Sequence, residues 1–450
     1  MQDTNIIKKV GNSVITKIII IGILVAVLLI PIEMIKGIIS ERTLIKQTAI
    51  AEVSSKWGGE QSIAGPFLSV PYRTYSLNDK GIRIGHIQYA HFLPEEMSVR
   101  GLIQPDIRYR GLYEVILYSG ELQLTATFQK VRFHELGIED RDVLWDQASV
   151  SVGISDLKGL KNNNTVTWNR NNYSLNPGIE SPAFMDSGVS TRVPVSGNQD
   201  KYSFNMNLNI NGSGQLVFYP LGKVTEVQLS SLWKSPSFMG TFLPDERVVN
   251  EKGFEAKWKI LHLNRNYPQQ WIGKNTKISE SAFGTKLFYP VDEYQKSMRS
   301  VKYAVLFIVL TFIAFFLTEV INKNKLHPIQ YLLAGFAVCI FYMLLISISE
   351  HAKFWIAYGI SAAASISLVT LYSKSVLKSM RQAFLVGSLL IFLYAFLYVT
   401  LQLEDYALLM GSSGLLIALG LVMYVTRKTD WYTFASVNPD RHNTGENGHG

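Results

Sequence analysis

After Lys302 the chain carries five long uncharged runs in succession. A hydrocarbon core of about 30 Å needs roughly 20 helical residues, with about 17 as a lower limit. Between Lys302 and Glu319 lie 16 uncharged residues, and Val320 and Ile321 extend the apolar face. The runs at 329–349, 354–373, 382–403 and 406–426 hold 21, 20, 22 and 21 residues. No compact soluble domain buries five such helices back to back. The spacing therefore predicts spans at 303–321, 329–349, 354–373, 382–403 and 406–426.

A sixth, shorter run lies at 18–32, where Lys17 can snorkel to lengthen the span. A cleaved signal peptide is the rival reading, because Lys8 and Lys9 make a basic start. Cleavage needs small residues just past the run, and that place holds Glu33, Met34, Ile35 and Lys36. Ala49 and Ala51 lie too far downstream. An uncleaved anchor fits better, and 34–56 reads as its helical continuation.

Basic residues set the expected orientation. Lys8, Lys9 and Lys17, then Lys323 and Lys325, then Lys374, Lys378 and Arg381, then Arg427 and Lys428 all fall on one side. The alternate loops hold Glu350-His351-Ala352-Lys353 and Glu404-Asp405. Positive-inside puts the basic side in the cytoplasm. Residues 1–17 and 427–450 are then cytoplasmic, and 34–301 form one exported domain. The overall charge of +8 is largely topology signal, since 34–301 carries 30 Lys plus Arg against 26 Asp plus Glu. Nucleic-acid binding is not indicated. The one cysteine, Cys339, lies in a span, so the exported domain has no disulfide to form. That suits a bacterial periplasm.

The exported domain reads as β-rich, an antiparallel sandwich or two sub-domains. Met206, Leu208 and Ile210 alternate with Asn207, Asn209 and Asn211. Gly212-Ser213-Gly214 reads as a turn before a strand at 216–219. Residues 115–118, Gly120 and 122–128 repeat the scheme, a hint of duplication that residue identity is too thin to establish. Residues 224–229 alternate again, 162–172 reads as a polar loop, and the tail after Tyr432 reads as disordered.

Chemistry is sparse. No Gly-rich phosphate loop is present. The histidines His86, His91, His134, His262, His327, His351, His442 and His449 are scattered, and a lone histidine of this kind is ordinary surface. His134-Glu135 lacks the second histidine of a zinc-protease motif. Gly411-Ser412-Ser413-Gly414 on a six-helix chain resembles a rhomboid protease, but no histidine follows in the membrane to act as base. Helix packing explains it better: Gly414 with Ala418, and Gly359 with Ala363 and Ser367, are small residues at helical spacing. A transporter usually carries ionisable residues near the bilayer midplane. Here Glu33, Glu319, Glu350 and Glu404 sit at span ends, where Glu319 is expected to snorkel.

Several runs occur together in one order. They are Leu29-Ile30-Pro31-Ile32-Glu33-Met34-Ile35, Glu41-Arg42, Gly65-Pro66-Phe67-Leu68-Ser69-Val70-Pro71 and His91-Phe92-Leu93-Pro94-Glu95. Ser151-Val152-Gly153, Pro236-Ser237-Phe238-Met239-Gly240 and Phe242-Leu243-Pro244 follow. The last are Leu326-His327-Pro328-Ile329-Gln330-Tyr331-Leu332-Leu333-Ala334-Gly335, Ser349-Glu350-His351 and Asp430-Trp431-Tyr432. By these runs the chain resembles the CreD family of Gram-negative inner-membrane proteins. The resemblance implies a non-enzymatic role in envelope integrity and stress response, of the kind seen as induction by a sensor-kinase regulon and altered tolerance to a colicin. It carries no catalytic, cofactor or metal residue. The lipid bilayer and other, unidentified envelope proteins are the expected partners, and oligomeric state is left open. A transporter or channel component is the alternative, and a membrane hydrolase the next. Gly65-Pro66 and Leu93-Pro94 are expected at strand ends. His327-Pro328 is expected where a span begins, and Arg42 where the first helix leaves the membrane.

Overall fold

A computed structural model describes residues 14–427 except 78, 81–82, 163–164, 182–183, 274–276, 289–291, 323–325 and 404–405. The polar tail after Tyr432 and the Glu404-Asp405 loop thus lie outside the described residues. The chain divides into two compact units, Met1–Ile45 with Val291–Gly450, and Lys46–Pro290.

The first unit is helical. Helix α1 (Val14–Trp57) is one continuous element that runs past the apolar stretch. It is followed by α2 (Glu293–Lys302), α3 (Ala304–Asn322), α4 (Pro328–Ser349), α5 (Phe354–Leu377), α6 (Met380–Gln402) and α7 (Ala407–Thr426). Among the described residues, α1, α4, α5 and α6 are long and apolar enough to cross a membrane. The pair α2 and α3, bent by 43°, makes a fifth if taken as one span, and 409–424 is a shorter apolar helix. His327 caps α4: its Nδ1 accepts from the Ile329 amide at 3.3 Å while Gln330 Oε1 accepts from the His327 amide at 2.9 Å. Pro328 then takes the first helical position, where a missing N–H costs nothing.

The second unit holds two sheets. Its strands are β1 (Gln61–Leu77), β2 (Arg83–Phe92), β3 (Glu96–Arg110), β4 (Tyr113–Gln129), β5 (Ser149–Ile154), β6 (Thr165–Trp168), β7 (Asn171–Ser174), β8 (Asn176–Pro177) and β9 (Gly188–Arg192). Then come β10 (Lys201–Ser213), β11 (Gln215–Phe218), β12 (Val224–Ser231), β13 (Pro236–Gly240), β14 (Glu246–Asn250), β15 (Gly253–Leu261), β16 (Gln270–Ile272) and β17 (Phe283–Leu287). One sheet has the order β13-β17-β11-β1-β5-β9-β8, with β2 and β16 attached beside β1. The other has the order β14-β15-β12-β3-β4-β10-β6-β7. The period-two pattern of β10 buries Tyr202, Phe204, Met206, Leu208 and Ile210. They join one apolar core with residues of the other sheet such as Phe67, Val150 and Phe218.

Several expectations need correction. The sheets are mixed, because β1 runs parallel to β11 and β3 parallel to β12. Neither expected hairpin exists. Residues 115–128 lie within the single strand β4, where Gly120 pairs with Ile210 of β10 in the ladder and makes no turn. At Gly214 (φ 68°) the chain leaves β10 in one sheet and begins β11 in the other. Gly65-Pro66 lies inside β1 at a register shift, not at its end, whereas Leu93-Pro94 does join β2 to β3. The 162–172 stretch contains strands: β6 and β7 pair around Asn169 and Arg170, whose positive φ values of 48° and 79° suit a type I′ turn. Val166 and Trp168 are fully buried, so this segment feeds the core.

A repeat of strand pairing does exist, in other strands than those of the expected hairpins. Strands β1, β3, β4 and β5 recur in chain order as β11, β12, β15 and β17. In each set the first pairs antiparallel with the last and the second with the third. The parallel pairs β1–β11 and β3–β12 are the seams between the copies. Each fourth strand follows a short 3-10 turn, ending at Ala148 in one copy and Ala282 in the other.

Candidate functional sites

In the helical unit, Glu319 of α3 is only 2% exposed, so it does not snorkel. Its carboxylate accepts from Lys17 Nζ of α1, from Tyr331 OH of α4 at 2.9 Å and from the Leu326 amide at 3.2 Å. A buried charge persists only when paired and hydrogen-bonded. Here donors from three elements meet one acceptor. A second carboxylate, Glu350, receives Tyr294 OH at 3.0 Å and faces Arg42 Nε at 3.5 Å. Lys17 and Arg42 are 25 positions apart on α1, about 38 Å at 1.5 Å per residue. That matches a bilayer of about 40 Å with its interfaces. The two ion clusters thus stand about that far apart along one helix.

Buried hydroxyl groups also meet inside the helical unit. Tyr358 OH donates to the Tyr394 carbonyl at 2.7 Å, and Ser365 Oγ lies 3.1 Å from both Tyr394 OH and the Ala337 carbonyl. Tyr342 OH and Ser361 Oγ are buried without a partner among the described residues.

Small residues sort by position. An added Cβ at Gly414 would sit 2.5 Å from the Phe396 ring, so this glycine admits an aromatic contact between α7 and α6. Gly387 similarly admits Thr370. The Gly359, Ala363 and Ser367 ladder does not pack as expected: all three are exposed, and Gly359 has open space around it. The packed face of α5 is instead Ser361, Ala362 and Ser365. Ser412 and Ser413 are exposed, and Ser412 Oγ donates to the Leu409 carbonyl of its own helix at 3.0 Å.

In the β unit, His91 is not ordinary surface but fully buried. Register explains its neighbours. Ser69 of β1 faces Ser149 of β5 on one side and His91 of β2 on the other, and His91 faces Trp271 of β16. Directly opposed residues project to the same face, so Ser149, Ser69, His91 and Trp271 form one row across four strands. Ser69 Oγ lies 2.9 Å from His91 Nδ1, and the His91 and Trp271 rings are 5.4 Å apart. Phe184 packs on both Phe67 and Trp271, covering the row. Burial pushes the His91 pKa down to about 4, so the ring is neutral near pH 7. His91 Nε2, Trp271 Nε1 and the Ser149 and Ser151 hydroxyls have no partner among the described residues. A serine beside a histidine has the makings of a nucleophile and base, yet both are 0% exposed. The remaining described histidines do not gather: His86 contacts Ser76 at 2.9 Å, and His134 stands on an exposed 3-10 turn. No His/Cys/Asp/Glu cluster fit for a metal occurs among the described residues.

The resembling runs now have structural roles. The Pro94 carbonyl accepts from Gln269 Nε2 at 3.0 Å and from the Lys223 amide at 2.9 Å, and Glu95 pairs with Lys223 at 2.7 Å. Phe238 of β13 makes edge-to-face contacts with Phe254 and Trp258, and Gly240 (φ 97°) lies against the Ala282 carbonyl.

Comparison with known proteins agrees with that reading. The family described as inner membrane protein CreD matches residues 13–432. The inner membrane protein CreD of Escherichia coli strain K12 is 32% identical over 419 residues, covering 91% of this chain and 92% of that protein. The chain belongs to the CreD family of inner membrane proteins.

Proposed function

We propose that the protein is a six-span, non-enzymatic inner-membrane component that maintains the cell envelope. In this reading both termini are cytoplasmic and the β unit is periplasmic. The observation that carries it is α1, whose Lys17 and Arg42 clusters stand about one bilayer apart. The span set is completed by the bent pair α2–α3 and by α7. Reporter fusions at Asn163 and Asp405 are expected to be periplasmic, and those at Asn324, Ser375 and Gly445 cytoplasmic. A cytoplasmic signal at Asn163 would overturn the topology. For the role, cells lacking the protein are expected to lose tolerance to detergent and colicin, with Ser412→Ala restoring it as well as the unaltered chain. Failure of a stable Ser412→Ala protein to restore tolerance would favour the hydrolase.

The tyrosine and serine groups inside the helical unit favour the second reading, a transporter component. Membrane interiors keep polar side chains mainly for packing glue or for a path. Phenylalanine at Tyr342 separates the two, since it removes an unpartnered hydroxyl while keeping the ring. Unchanged envelope tolerance supports glue, and lost tolerance at a normal protein level supports a path.

A further inference from the structure

A cavity of about 640 Å³ opens between α3, α6 and α7. Its wall is apolar along most of its length, from Leu306 and Phe396 to Leu389 and Ile417. Only Thr318, Arg381 and Gln382 bring polar side chains to it. By their places on the helices these three lie together at one end, since Thr318 is late on α3 and Arg381 and Gln382 open α6. From Leu306 to Thr318 the wall is about 18 Å long at 1.5 Å per residue. One leaflet's share of a hydrocarbon core is about 15 Å. The cavity therefore has the length and lining of a single lipid chain, with its polar end at an interfacial level.

The polar end also selects a headgroup. Arg381 stands near Lys374 and Lys378 in sequence, and no carboxylate pairs with these three among the described residues. The nearest acid along α3, Glu319, is committed to Lys17, Tyr331 and the Leu326 amide. Gln382 Oε1 is buried without a donor among the described residues. The Arg381 guanidinium is exposed and so open to a phosphate, and an orphaned amide oxygen calls for a hydroxyl or ammonium donor. Basic pockets between membrane helices bind anionic lipids on the same logic. We infer that this cavity holds one acyl chain of a phosphatidylglycerol-type lipid, with its phosphate on Arg381 and a headgroup hydroxyl on Gln382.

Native mass spectrometry on the full-length chain in mild detergent tests this, with equimolar phosphatidylglycerol, phosphatidylethanolamine and phosphatidylcholine added. Phosphatidylglycerol is expected to be retained most. Arg381→Gln should cut its retention by about tenfold, the scale of one lost charge-assisted hydrogen bond. Leu389→Trp should fill the cavity and lower retention of all three lipids, and Ala418→Phe does the same from α7 if the first variant folds poorly. Lys252→Gln, in the turn between β14 and β15, should change nothing. Equal retention of phosphatidylcholine by the unaltered chain would overturn the headgroup assignment. Preference for phosphatidylethanolamine would overturn it too. Unchanged retention in a folded Leu389→Trp or Ala418→Phe protein would overturn the site itself.

Discussion

The two units each bury a titratable side chain, and they handle it in opposite ways. The helical unit keeps Glu319 as an acceptor for one cation and two neutral donors. The β unit keeps His91 neutral, with one hydroxyl on Nδ1 and aromatic rings around it. The difference follows from what each element can bring. Helix ends supply a lysine, a tyrosine and free amides to one point. The middle of a paired strand supplies only side chains, because its backbone groups are spent on the ladder. Burial is met by converging partners in the first setting and by neutrality in the second.

That contrast fixes the largest expected effects. Removing Lys17 as Lys17→Met strands a buried carboxylate, and breaking such a pair costs about 3–5 kcal/mol. The double variant Lys17→Met with Glu319→Gln should recover most of the loss, read as thermal stability in detergent. A double variant as unstable as the worse single one would break the account of Glu319. His91 should make the β unit acid-sensitive. Its folded pKa is depressed from 6.5 to about 4, so the unfolded chain takes up the proton first as pH falls. Stability is full above about pH 6.5, falls between there and about 4, and levels below. The total loss is about 3 kcal/mol, at about 1.4 kcal/mol per factor of ten. Urea midpoints of residues 46–290 across this range should show the drop, and His91→Gln should flatten it. This segment alone is expected to give a β-type circular dichroism spectrum and one cooperative melt, and aggregation would count against a self-contained core.

Legibility differed between the units for a physical reason. Membrane helices announce themselves by unbroken apolarity, so each apolar run coincides with a helix, and even the His327-Pro328 start could be read. What the runs hid was which face points inward. Gly359 and Gly414 look alike in sequence, yet only Gly414 meets an aromatic ring. Strand periodicity was visible in β10, but glycine misled at both expected hairpins, since Gly120 sits within the unbroken strand β4 and Gly214 marks a change of sheet. His91 was missed because burial of a lone histidine has no sequence period of its own. Its signal was the sheet register, in particular Ser69 opposite His91. Glu319 was misjudged because distance to a span end says nothing of partners, and Tyr331 lies 12 positions away.

Smaller effects probe the helical unit's packing. Gly414→Leu has to displace the Phe396 ring, and overpacking of this kind costs about 1–3 kcal/mol. Gly359→Leu, on an open face, should cost far less, and equal losses at the two glycines would mean the outward ladder is also packed, against a second copy of the chain. The smallest expected effect is at Ser412. Its hydroxyl bonds back to the Leu409 carbonyl of its own helix, a bond that contributes little to a helix whose backbone is already paired. Alanine keeps the residue small and leaves a helix former in place. Melting in detergent should therefore shift by less than about 0.5 kcal/mol in equivalent stability, as for other substitutions that touch nothing. A large loss at Ser412 with none at Gly414 would reverse the ranking, and would show that the hydroxyl rather than the absent side chain is what this motif keeps.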